Sequence, residues 1–178
     1  MVETTPHVAL NLGFLTVLQE GNSYVGGFLV TNQWGRPLEF RLTTSVQPNR
    51  VQQILYGDTL SPYICADLVG RTLVEKTSTA ANFIITDCQA ALDLRFHCEV
   101  PVVWLGQRDN TDSLPLPGRC PVEGSRWPLH RHPRFPGDSL CLAPLLDRLD
   151  GVLDLAEPFF RVREAIGEAR KMGVTKSA

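Results

Sequence analysis

The sequence predicts an α/β fold, an antiparallel three-strand meander followed by alternating helices and buried strands. Three observations carry this. Residues 8–44 hold three segments of alternating apolar and polar character, separated by turn clusters, as antiparallel strands with one wetted face require. Residues 49–73 change to helical spacing. Two later runs, Phe83-Ile84-Ile85 and 100–105, are apolar without alternation, as strands buried on both faces must be.

The first strand is read over 8–18. Val8, Leu10, Leu12, Phe14 and Leu18 share one parity, with Asn11, Gly13 and Gln19 on the other, which predicts a half-buried strand. Glu20-Gly21-Asn22-Ser23 is a turn. The second strand, 24–31, contains Gly26-Gly27, a pair that weakens a strand unless something packs closely against it. After the turn Asn32-Gln33-Trp34-Gly35, the third strand alternates Leu38, Phe40 and Leu42 with Glu39, Arg41 and Thr43.

Asn49 is placed to N-cap a short helix carrying Val51, Ile54 and Leu55. Thr59 is placed to cap a second, in which Leu60, Ile64, Leu68 and Val69 form one stripe and Pro62 falls in the first turn. Gly70 is expected to end or bend it. A short helix over 89–95 separates the two buried runs, with Asp87 as its expected N-cap. Pro144 and Pro158 each open a C-terminal helix, over 145–149 and from Phe159 onward.

This order divides the chain into an α/β core (1–105), a long proline-rich loop (106–137) and C-terminal helices packing on the same core (138–178). At 178 residues the chain can bury roughly 70% of its unfolded surface. A net charge of −2 supplies no basic footprint, so nucleic-acid binding is not supported. No apolar run approaches a membrane span of about 20 residues, and the N-terminal segment lacks a secretory pattern. Five irregularly spaced cysteines do not form a disulfide framework. A cytoplasmic protein with reduced thiols is the expectation.

The loop offers two kinds of site. Cys120, His130, His132 and Cys141 lie within 22 residues, and zinc accepts two sulfurs and two imidazoles. No cofactor is expected unless these four residues bind zinc. Trp127 and Phe135, with Arg126 and Arg131, are residue types that anchor protein interfaces. Trp127 and Leu129 are expected to pin the loop to the domain, leaving Arg126 and Arg131 in solvent.

The element order, with Ile84-Ile85-Thr86-Asp87-Cys88-Gln89-Ala90-Ala91-Leu92, resembles the ribonuclease-H-like fold, in which an acidic residue ends the fourth strand before a helix. That resemblance implies a divergent metal-dependent hydrolase as an alternative activity. Its chemistry needs several converging carboxylates, and the first strand carries only Asn11 where an acid is expected. Tyr63-Ile64-Cys65-Ala66-Asp67-Leu68, Tyr24-Val25-Gly26-Gly27-Phe28 and Pro48-Asn49 locally resemble ubiquitin-conjugating enzymes. That likeness implies a thiol role for Cys65, whereas its place beside the apolar stripe predicts a buried core thiol. The leading expectation is a non-catalytic protein-interaction or scaffold domain, with another protein as partner and no catalytic residue.

Overall fold

The computed structural model describes residues 8–106, 120–149, 151 and 153–174. The meander forms as expected: β1 (Asn11–Glu20), β2 (Ser23–Asn32) and β3 (Pro37–Leu42) pair antiparallel. β4 (Phe83–Thr86) pairs parallel with β1, and β5 (Val102–Leu105) parallel with β4. β6 (Cys120–Pro121) and β7 (Leu129–Arg131) complete a mixed seven-stranded sheet of order β3-β2-β1-β4-β5-β7-β6.

The last two strands show that the proline-rich stretch 106–137, read as a long loop, contributes two short strands to the sheet. β7 runs antiparallel to β5, setting Val103 opposite Arg131, Trp104 opposite His130 and Leu105 opposite Leu129. Three residues are too few to display a period. The edge of β5, not local propensity, makes them a strand. Leu129 is buried and Trp127 packs on the core, its indole N–H donating to the Leu153 carbonyl at 3.2 Å. Arg126 is exposed, but Arg131 is half-buried and donates to Ser139 Oγ. The rest of the predicted loop, 107–119, lies outside the described residues.

Helix α1 (Arg50–Tyr56) opens on a capping box, with Asn49 and Gln52 each accepting from the other's backbone. The next helical run is continuous over 60–76. It comprises α2 (Leu60–Pro62), π-helical turns over Tyr63–Gly70, and α3 (Arg71–Lys76). Thr59 does not cap it; its hydroxyl donates to the Tyr56 carbonyl. Gly70 does not end it either. A side chain there would meet the Cys65 carbonyl at 3.0 Å and Leu15 at 3.2 Å, so glycine is what lets the widened turn lie against β1. A 3-10 helix (Gln89–His97) replaces the expected α-helix. The helix expected after Pro144 instead starts at Asp138: α4 (Asp138–Leu146) contains Pro144 and buries Leu142 and Leu146. Helix α5 (Glu157–Lys171) carries Pro158 in its first turn, as predicted.

Both faces of the sheet are covered. On one, Leu12, Phe14, Leu29, Phe83, Ile85 and Val103 pack with Leu142, Phe159, Val162 and Ile166. On the other, Leu15, Phe28, Val30, Ile84 and Val102 pack with Ile64, Cys65, Val69 and Leu94. β1 is therefore buried on both faces, not half-buried. Gly13 shares the polar parity, but a Cβ there would fall 2.7 Å from the Phe28 ring, so the position is roofed over by apolar surface. β4 and β5 are doubly buried as expected, except that Leu105 is half-buried. Each fully buried Leu, Ile or Phe contributes about 1.5–3 kcal/mol relative to exposure.

Candidate functional site

The parallel pairing of β1 and β4 sets Leu15 beside Thr86, which brings Asp87 next to Thr16. Thr16 is fully buried, and its hydroxyl donates to Asp87 Oδ1 at 3.0 Å. Asp87 Oδ2 accepts from the Arg163 guanidinium, carried across the end of the sheet by α5. Phe160, one turn earlier on α5, lies below the same guanidinium at 5.9 Å and is itself exposed. The result is a carboxylate held between a hydroxyl and a guanidinium.

This corrects the expectation that Asp87 caps the following helix. Cys88 is the N-cap residue, and no side chain makes the cap hydrogen bond. Burial pushes the Asp87 carboxyl above its ordinary range, with Arg163 and Thr16 pulling the other way. A raised acid favours the fold below its ordinary pKa and loses that contribution as pH rises through the raised value. Arg163 limits the loss. Arg163→Ala is therefore expected to cost about 1–3 kcal/mol at neutral pH, since it strands a largely buried charge. The cost should fade below the carboxylate range, and adding Asp87→Asn to the Arg163→Ala variant should recover most of it. Urea unfolding of the single and double variants at neutral and acidic pH measures both effects.

Next in sequence, interaction between the Cys88 and Cys65 thiols lowers that of Cys88 and raises that of Cys65, with burial adding to the rise at Cys65. Backbone N–H groups of Ala91 and Ala90 also favour the Cys88 thiolate. Cys65 is 2% exposed within the π-helical turns. A buried thiol that resists ionisation is a poor nucleophile.

The four zinc-ligand candidates are not brought together. Cys120 lies opposite Arg131 in the β6–β7 pair, whereas His130 lies opposite Pro121, and neighbouring positions on a strand face opposite sides of the sheet. The His130 ring packs at a tilt against Trp104, with centroids 5.1 Å apart. His132 is buried beside Phe96 and Phe135, with Nε2 3.2 Å from Asp93. Cys141 is exposed on α4. Among the described residues, no group of three His, Cys, Asp or Glu side chains is arranged to hold a metal ion.

The interface candidates divide similarly. Arg126 lies over the Trp127 ring at 5.5 Å. Phe135 packs edge-on against Phe96 at 5.4 Å and lies under Arg95 at 4.2 Å. Arg95 in turn makes a two-pronged pair with buried Asp138, at 2.9 and 3.1 Å, tying the 3-10 helix to α4. Phe135 is thus largely spent within the fold.

Sequence reasoning missed Thr16 and Arg163 as partners of Asp87. They stand 71 and 76 positions away, and no local pattern reports such a meeting. It also missed α1 as a surface feature. Val51, Ile54 and Leu55 are 63%, 65% and 77% exposed, and the helix buries no residue. Beside it Tyr56 and Tyr63 stack at 4.4 Å. Among the described residues, no helix is long and apolar enough to cross a membrane. No protein-family model matches the chain, and no curated protein resembles it significantly.

Proposed function

We propose that this chain is a non-catalytic protein-interaction domain on a ribonuclease-H-like frame. The meander followed by parallel β4 and β5 supports that frame. The observation that carries the functional reading is the commitment of Asp87 to Thr16 and Arg163. A divalent cation at this carboxylate would have to displace a guanidinium and find further anionic ligands. A charge pair of this kind orients α5 on the sheet; it does not present a carboxylate for metal-assisted hydrolysis.

The partner class is another protein. The support is α1, a capped helix whose three aliphatic side chains all point to solvent, in the manner of helices that anchor in apolar grooves. Near-neutral charge is consistent with such a partner and not with a polyanion.

The test is a titration with Mg²⁺ or Mn²⁺, followed by thermal unfolding and by cleavage of single- and double-stranded nucleic acid. The expected result is no shift in Tm and no cleavage. Cation-dependent stabilisation or cleavage that disappears in Asp87→Asn would overturn the proposal and establish the hydrolase alternative.

A further inference from the structure

β3 ends the sheet, with no further strand beside it among the described residues. An open edge is a template for another strand. Thr43 N–H donates to the Gly26 carbonyl. Main-chain groups in an antiparallel ladder alternate between facing the partner and facing away. Arg41 and Glu39, opposite Phe28 and Val30, therefore face β2 with their amides, and Leu42 and Phe40 turn theirs outward. The side chains along this edge are apolar and open: Phe40 is 38% exposed, Leu38 47%, and Trp34 in the preceding turn 75%.

We infer that the occupant of this edge is a second copy of the chain, paired β3 to β3 about a two-fold axis at Phe40. Charge complementarity selects one register. Leu38-Glu39-Phe40-Arg41-Leu42 is its own complement when reversed. Phe40 falls opposite Phe40, Leu38 opposite Leu42, and Glu39 opposite Arg41 twice. The two neighbouring registers set Glu39 against Glu39, or Arg41 against Arg41, and like charges directly opposed are unfavourable. The register that pairs opposite charges is also the one that joins the outward amides of Phe40.

The charged face is already set. Glu39 accepts from the Ser78 and Thr79 amides and from Arg41, so its carboxylate does not have to be ordered on association. These amides, Thr79 first, hold the carboxyl well below the usual range, at about 2. On the other face Phe40 shares the side of Leu29, which packs with α5. Pairing would extend that apolar layer across the axis with Leu38 and Phe40 of both copies. The bulge opposite Val30 and Thr31 falls at Leu38, at the end of the paired stretch.

Sedimentation velocity from micromolar to submillimolar concentration, with amide hydrogen exchange, tests the inference. The expected result is a dimer whose Phe40 and Leu42 amides gain protection with concentration. Phe40→Lys is expected to give a monomer. Arg41→Glu should weaken association roughly tenfold by setting Glu against Glu39. Thermal unfolding reports whether each variant is folded, and the exposed Arg41 site keeps the test intact if Phe40→Lys is not. Phe160→Lys, an exposed aromatic on α5, is the control and should remain dimeric. A wild-type monomer with unprotected Phe40 and Leu42 amides overturns the inference. So does a dimer that survives both edge variants, which would place the contact elsewhere.

Discussion

Phe159→Ala is expected to destabilise the protein by about 3–5 kcal/mol, the range for deleting a buried phenyl ring. Phe159 is 2% exposed and meets Phe14 edge-to-face, with ring centroids 5.5 Å apart. Phe14 lies on the interior strand β1, and Phe159 is in the first turn of α5. The contact thus joins the meander to the C-terminal helix. Loss of the ring removes buried area, an aromatic pair and the packing that holds Arg163 over Asp87. Denaturant unfolding at neutral pH gives the magnitude. A single transition for wild type, weakened as a whole in the variant, is what one shared core requires. A change below about 1 kcal/mol would show that α5 contributes little to that core.

Gly26→Val is expected to be nearly as damaging, at about 3 kcal/mol, near the upper end of overpacking costs. A Cβ at residue 26 would lie 2.1 Å from Val69 Cγ1, and Val69 is fully buried on a β-branched side chain that cannot swing aside. Val69 would have to move with the π-helical turns that carry it. Valine gains strand propensity over glycine, but that gain is at most about 1 kcal/mol and does not offset the clash. Gly167→Ala is the contrasting case. It lies within α5 with nothing near its Cβ position, so it should stabilise by roughly 0.4–1 kcal/mol. Thermal unfolding of both variants reads the opposite signs.

Gly26 and Gly27 also explain how β2, next to the edge strand, is closely covered on both faces. Their side-chain positions face opposite sides of the sheet. A Cβ at residue 27 would meet Val162 of α5 at 2.7 Å, as one at residue 26 meets Val69. Each glycine admits one helix to close contact with the strand. The weakness of a paired glycine in β2 is offset by the closeness of the two helical layers.

The sequence by itself determined that β1 to β5 are strands, and that β4 and β5 are buried on both faces. The absence of alternation in Phe83-Ile84-Ile85 follows from burial on both faces, whereas the alternation of 38–42 marks an edge strand whose apolar side, Leu38 and Phe40, stays exposed. The Asn49 cap was legible because capping engages residues within one turn. Local pattern misled where a distant surface decided the outcome. Gln19, Gly13 and Asn11 read as a wetted face for β1, yet Leu15 and Val17 on that parity pack under the 60–76 helical run. Pro144 read as a helix start, yet the burial of Leu142 and Leu146 carries α4 through it. Three-residue β7 has no pattern of its own and takes its conformation from β5. The site was the least legible part. Asp87 was visible as an acid at a strand end, but its role depends on Thr16 and Arg163, which only the parallel β1–β4 pairing and the return of α5 bring within hydrogen-bonding reach. Propensity and period are sums over neighbours in the chain. The charge state and chemistry of a buried carboxylate depend on neighbours in space, and those are set by tertiary packing.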